Sequence, residues 1–181
     1  MNARDLGYIA MTVALISASA WIVVPIGEIP VTLQTAVLFL AAGLLGLKRA
    51  VFAALAYVLL GLIGVPVFAG FTGGVSKIVS PTGGYILGFL AIAFAVGGAS
   101  SLLKSQTGKK RVLYLALAML VGLLLCYALG TVWFVLVSGN GGVGFWTALT
   151  LCVLPYFPFD IVKICLAAFL TVKLSKFVKI A

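Results

Sequence analysis

Apolar residues run through this chain in long blocks, separated by short polar or glycine-rich stretches. The blocks cover about residues 6–24, 32–47, 50–63, 83–103 and 112–137. A last block starts at 145 or 154 and ends near 172, its beginning blurred by Pro155 and Pro158, which break helical hydrogen bonding. A helix of roughly 20 apolar residues crosses a bilayer. Lipid offers no partner to open backbone N–H and C=O groups, so each apolar block is read as a helix. The pattern predicts an all-α integral membrane protein with six transmembrane helices, one membrane domain over residues 1–181. Two glycine-rich connectors stand out, a long one at 64–82 between the third and fourth helices and SGNGGVG at 138–144. No internal repeat is visible, and the length leaves little room for two halves rocking against each other.

Composition strengthens the membrane reading. The chain is 64% hydrophobic and 8% charged, with a mean hydropathy of +1.32. A soluble domain cannot hide so much apolar surface, because its surface-to-volume ratio leaves about half of it in water. Charge then sets the topology. The net charge of +9 does not point to nucleic acid, because the basic residues fall between the apolar blocks. With the N-terminus inside, the inner segments carry Arg4, Lys48, Arg49, Lys104, Lys109, Lys110, Arg111, Lys173, Lys176 and Lys179. The outer connectors carry only Lys77, and Lys163 lies within the last helix. Both termini are therefore expected in the cytoplasm, with the 64–82 connector outside. An odd number of spans would put a basic cluster on the wrong side. Ala18-Ser19-Ala20 has the small residues of a signal-peptide cleavage site. Asp5 balances Arg4, however, and the apolar run continues to Val24, so the first helix is read as retained.

Candidate chemistry is sparse. There is no histidine, and the three cysteines, Cys126, Cys152 and Cys165, lie inside apolar blocks without a C-x-x-C. They suggest neither a disulfide framework nor a metal site and are read as small packing residues. Gly108-Lys109 is no phosphate-binding loop: Leu103 stands where its leading glycine belongs, and no Ser or Thr follows. If the protein transports a solute, another polypeptide supplies the energy.

One charged pair stands inside an apolar block, Asp160 and Lys163 in LPYFPFDIVKICLAAFL. If that helix leaves the membrane near Lys173, Asp160 sits roughly 20 Å above the inner boundary and about 10 Å below the outer one. A spacing of three puts both side chains on one helical face. Each charge at that depth costs on the order of 2.5 kcal/mol or more. The pair either neutralises itself while helping helices pack or clamps a ligand. In a clamp, Asp160 accepts from ligand N–H groups, while Lys163 meets a carboxylate or keeps Asp160 ionised. A buried pair rarely adds stability over apolar residues, which favours the clamp.

Three further features join it. The segment GVPVFAGFTGGVSKIVSPTGGY, 64–85, is long for a link, and its Val65, Val67, Phe68, Phe71, Ile78 and Val79 call for burial. It is read as a lid or plug, with Gly70, Gly73 and Gly74 allowing tight turns. Ser80 to Tyr85 turns the chain into the fourth helix, with Tyr85 offering a flat face and a hydroxyl. Ala10, Ala14 and Ala18, with Ser17 beside them, make a smooth stripe on the first helix, suited to packing inside the bundle or to docking a membrane partner. Glu28 is read as a solvated outer residue and Gln34 as facing inward from the top of the second helix. An intramembrane enzyme is disfavoured, because the chain has no histidine and no second buried carboxylate.

Four stretches together carry a resemblance: PVTLQT at 30–35, GVPVFAG at 64–70, PTGGYILGF at 81–89 and PFDIVK at 158–163. Over nearly its whole length the chain resembles the biotin-specific substrate-binding subunits (S-components) of energy-coupling-factor transporters, the BioY family of prokaryotic vitamin importers. The resemblance implies six helices in the cell membrane, an outward-facing biotin pocket and no catalysis. Biotin is then the transported ligand, and no cofactor is expected. The implied partners are a transmembrane coupling subunit and two ATPase subunits on the cytoplasmic side, besides membrane lipid. Asp160 and Lys163 match the family's polar pair, Tyr85 its aromatic after the double glycine, and Ala10, Ala14 and Ala18 its docking surface. Phe159 and Ser80 stand where the motifs are expected to carry glycine. On this reading a buried carboxylate suits the ureido N–H groups of biotin. Phe68, Phe71 or Tyr85 packs on its rings, and Lys163 or Lys77 meets its carboxylate tail. The candidate ligand-binding set is Gln34, Phe68, Lys77, Thr82, Gly84, Tyr85, Asp160 and Lys163. The expected function is a high-affinity receptor feeding an ATP-driven importer, with the 64–82 connector closing over the vitamin. The alternatives are a subunit for another vitamin, or a small channel or scaffold in which the Asp160–Lys163 pair is structural.

Overall fold

The computed structural model describes residues 2–24, 30–103, 106, 108–138 and 144–177. Glu28, Lys104, Lys179 and most of the 138–144 loop, all named above, lie outside the described residues. The chain is mostly helical. In order, the helices are α1 (Ala3–Trp21), α2 (Gln34–Leu45), α3 (Leu47–Leu62), α4 (Val75–Val79), α5 (Gly83–Leu102), α6 (Gly108–Ser138), α7 (Phe145–Cys152) and α8 (Phe157–Leu174). Helix α5 packs against α2, α3 and α6, and α8 lies across α2 and α6.

Several predicted boundaries move, each for a local reason. The first helix stops at Trp21, short of the predicted 24, because Val23–Val24 (β1) pairs antiparallel with Val31–Thr32 (β2). The predicted Lys48-Arg49 connector is not a connector. Gly46 takes a φ of +76°, a left-handed conformation that glycine adopts without strain, and turns the chain in one residue. Lys48 and Arg49 therefore belong to the first turn of α3. The 64–82 segment contains the short helix α4. The last block is two helices, α7 and α8, bent by 55° at the Pro155 and Pro158 region.

Among the described residues, α5 and α6 are each long and apolar enough to cross a membrane, and the bent α7–α8 pair makes a third candidate span. Helices α2 and α3, with 12 and 16 residues, are shorter than a full crossing of about 20.

The outer surface is apolar as well as the core, unlike that of a water-soluble bundle. Leu117, Val121, Leu124 and Leu136 of α6 face outward, while Thr12, Ser17, Ser100, Thr131, Asp160 and Thr171 are buried. The buried hydroxyls return to nearby carbonyls, Thr12 to Tyr8, Ser17 to Val13, Thr171 to Ala167 and Ser100 across to Gly43. Small residues let the central helices approach closely. A Cβ on Gly84 would strike Trp133, and one on Gly130 would strike the ring of Tyr85.

The ends of the bundle differ in charge. Arg49 pairs with Asp5 at 2.7 Å, which joins the start of α3 to the start of α1. The backbone N–H of Leu47 donates to Ser101 Oγ (3.1 Å), and Arg111 donates to Ser175 Oγ (3.3 Å). These bonds gather Arg4, Lys48, Lys109, Lys110, Lys173 and Lys176 toward one end. The 64–82 segment, the small β-ribbon and the α7–α8 bend lie at the other.

Candidate functional site

The site begins with the bend before α8. Proline at 158 falls in the first turn, where its missing N–H leaves no helical bond unmade, and Asp160 follows in the same turn. A carboxylate there also benefits from the positive end of the helix dipole. Lys163, three residues on, donates to Asp160 Oδ1 at 2.7 Å. Thr35 of α2 donates to the same oxygen at 3.2 Å and accepts from Lys163 Nζ at 3.2 Å. Tyr127 of α6 donates to Asp160 Oδ2 at 2.5 Å. The two ion-pair side chains are only 7% and 12% exposed, so this network is held away from solvent.

The network forms part of the wall of a cavity of about 820 Å³, its open mouth included. Ile86, Phe89 and Leu123 supply apolar lining, with Phe68 contributed by the connector and Tyr85 by α5. Tyr57, Tyr127 and Tyr156 add aromatic faces with hydroxyls, and Cys126 and Cys152 add thiols. Such a surface suits a compact, largely apolar molecule with a few polar atoms.

The connector is pinned over this cavity. Gln34 donates to the Tyr57 hydroxyl, and Tyr57 donates to the carbonyl of Val67 at 3.0 Å. Phe68, 1% exposed, packs edge-on to Tyr57 and beneath Gly61, where a Cβ would collide with its ring. Gly74 N–H returns to the Gly61 carbonyl at 2.7 Å.

Of the residues proposed from sequence, Gln34, Phe68, Lys77, Thr82, Tyr85, Asp160 and Lys163 all line the cavity. Gly84 does not; it faces α6 at Trp133 and the Leu129 carbonyl, so its smallness serves helix packing. Phe71 is also elsewhere, stacked on Trp21 with ring centroids 4.7 Å apart and 62% exposed. Phe159 points outward and leaves the cavity unaffected. Ser80, the other departure, accepts from Trp133 Nε1 at 3.1 Å through its carbonyl. Cys126 and Cys152 are buried, but Cys165 is exposed on α8, contrary to its reading as a residue packed between helices. Ala10, Ala14 and Ala18 are exposed on α1, opposite its buried Ile9, Val13 and Ile16, so the stripe is free of the bundle.

Sequence reasoning missed Thr35, Tyr57, Tyr127 and Tyr156. Tyr127 had a legible signal, since it interrupts the apolar run LLLCYALG deep inside a predicted helix. Thr35 had none, because its role depends on α2 lying against α8.

Comparison with known proteins agrees with this architecture. Residues 1–180 match the model of the BioY family. A relative described as a probable biotin transporter BioY, from Pyrococcus horikoshii, is 40% identical over 175 residues, covering 97% of this chain and 98% of its own. The biotin transporter BioY of Thermotoga maritima is 40% identical over 163 residues, 90% of each chain. A solved structure, the S-component for biotin from an ECF-type ABC transporter, superposes with a TM-score of 0.85 at 29% identity, covering 97% of this chain and 95% of that one. With its full-length family match and these relatives, the chain belongs to the BioY family.

Proposed function

We propose that this chain is the biotin-binding S-component of an energy-coupling-factor importer in a prokaryotic cell membrane. The observation that carries the proposal is the buried network of Asp160, Lys163, Thr35 and Tyr127 beside an apolar, aromatic cavity, in a chain of the BioY family. Biotin joins a ureido ring, with two N–H donors and a carbonyl, to an apolar sulfur ring and a carboxylate tail. A carboxylate has about four acceptor sites, and three protein donors leave Asp160 with room for a ligand N–H. The Lys163 ammonium keeps one donor for a ligand oxygen. Phe68, Tyr85 and Phe89 enclose the rings, and burial of their apolar faces supplies most of the affinity.

In this reading α1, α2, α3, α5, α6 and α8 cross the membrane. The basic end faces the cytoplasm, as the positive-inside rule requires, and the cavity opens outward. The exposed Ala10, Ala14 and Ala18 stripe receives the transmembrane coupling subunit, and two ATPase subunits drive release of the vitamin.

The test is calorimetric titration of the purified subunit with biotin, which is expected to saturate at micromolar ligand or below. Asp160→Asn is expected to weaken binding at least about 30-fold, about 2 kcal/mol, while thermal melting still shows a folded protein. Saturation by another vitamin but not by biotin overturns the reading. Unaltered biotin binding by Asp160→Asn removes Asp160 from the site.

A further inference from the structure

Among the described residues, three formally charged side chains line the cavity, Asp160, Lys163 and Lys77. The first two neutralise each other at 2.7 Å. Lys77 is different. Among the described residues its ammonium has no hydrogen bond and no ion pair, so the described part of the lining carries one unmatched positive charge.

Its helix also turns Lys77 toward the cavity. In α4, Val75 and Val79 are 60% and 57% exposed, while Ile78 is buried and Lys77 is half-buried on the cavity side. Hydrogen bonds around Ser80 fix the end of this helix. Ser80 Oγ donates to the Lys77 carbonyl at 2.6 Å, and the Ser80 carbonyl accepts from Gly83 N–H at 2.9 Å and Trp133 Nε1 at 3.1 Å. Helix α4 packs on α3 and α5, whereas α8 packs on α2 and α6, so Lys77 and the Asp160–Lys163 pair approach the cavity from different walls.

We propose that Lys77 selects the charge of the ligand, receiving the carboxylate tail of a molecule whose polar ring sits at Asp160 and Lys163. The assignment rests on the biotin reading above and gives the tail to Lys77 rather than to Lys163. A lining with one unmatched cation favours a monoanionic ligand over its neutral analogue, because a charge-assisted hydrogen bond in a partly dry cavity is stronger than a neutral one.

The experiment compares biotin with biotin methyl ester, which keeps the rings and removes the charge. Both are titrated into the purified wild-type subunit and into Lys77→Gln and Lys77→Arg. The wild type is expected to prefer biotin by about 10- to 100-fold. In Lys77→Gln that preference should fall to within about 3-fold through loss of biotin affinity alone, with ester binding unchanged; Lys77→Arg should restore most of it. Equal losses for both ligands, or a preference that survives Lys77→Gln, overturns the assignment while leaving the biotin reading intact. A wild type that binds both ligands equally does the same. A wild type that binds neither removes the biotin reading and this assignment with it.

Discussion

Asp160 accepts from side chains on three helices, Thr35 of α2, Tyr127 of α6 and Lys163 of its own α8. Each donor lowers the cost of holding a carboxylate away from water, and together they fix its rotamer and aim its remaining lone pairs. Tyr127→Phe removes one donor without changing the ring. Biotin affinity is expected to fall about 10-fold, measured by calorimetry, because a hydrogen bond to a charged group is worth roughly 1.5–3 kcal/mol and water replaces part of it. A phenylalanine variant that binds like the wild type would show that Lys163 and Thr35 suffice to orient the carboxylate. The Asp160–Lys163 pair was legible in the sequence because charge inside an apolar block is conspicuous. Thr35 was not, since a threonine near a helix start has many ordinary roles. Gly84 was legible as special but for the wrong reason: a glycine beside a suspected ligand loop and a glycine under a crossing helix look alike until the crossing helix is placed.

The seam between α5 and α6 depends on residues without side chains. Gly84 and Gly88 on α5 meet Trp133 and Cys126 of α6, and Gly122 and Gly130 on α6 meet Ile92 and Tyr85 of α5. Gly84→Val forces these helices apart at Trp133, and overpacking of this kind typically costs about 1–3 kcal/mol. The expected outcome is a lower melting temperature in detergent together with weaker biotin binding, because Tyr85 lines the cavity from the same stretch of α5. A variant that melts like the wild type would mean the seam yields without strain. The connector contains a short helix, but its expected burial holds only in part: Val67, Phe68 and Ile78 are buried, whereas Val65, Phe71 and Val79 are exposed. Which of its two candidate phenylalanines enters the cavity was not decidable from composition. Phe68 is drawn inward by the notch at Gly61, while the turn around Gly70 (φ +72°) carries Phe71 out onto Trp21. The predicted last block became two helices, because Pro155 interrupts the hydrogen-bond ladder between them and Pro158 suits the first turn of the second.

At the scale of the molecule, an outer surface of leucine, valine and phenylalanine encloses an apolar core with a few buried polar groups, with basic residues gathered at one end and the cavity toward the other. The alanine stripe of α1 lies on that outer surface, where a second membrane protein can reach it. Ala14→Trp is expected to abolish co-purification with the coupling subunit while leaving biotin affinity within about 2-fold, because Ala14 lies outside the cavity and bulk on such a stripe prevents close helix approach. Intact complex with the tryptophan variant would move the docking face elsewhere. The sequence by itself determined the membrane character, the helical class and the gathering of basic residues between apolar blocks, because hydropathy and the placement of lysine and arginine act along the chain and need no knowledge of neighbours. It also exposed the buried ion pair, since an isolated charge in an apolar run is costly wherever the run is placed. Only the tertiary structure decided what surrounds that pair, which face each glycine and alanine presents, and that Lys77 turns toward the cavity while its valines turn away. These are contacts between segments distant in the chain, and they exist only once close packing has chosen which helices touch.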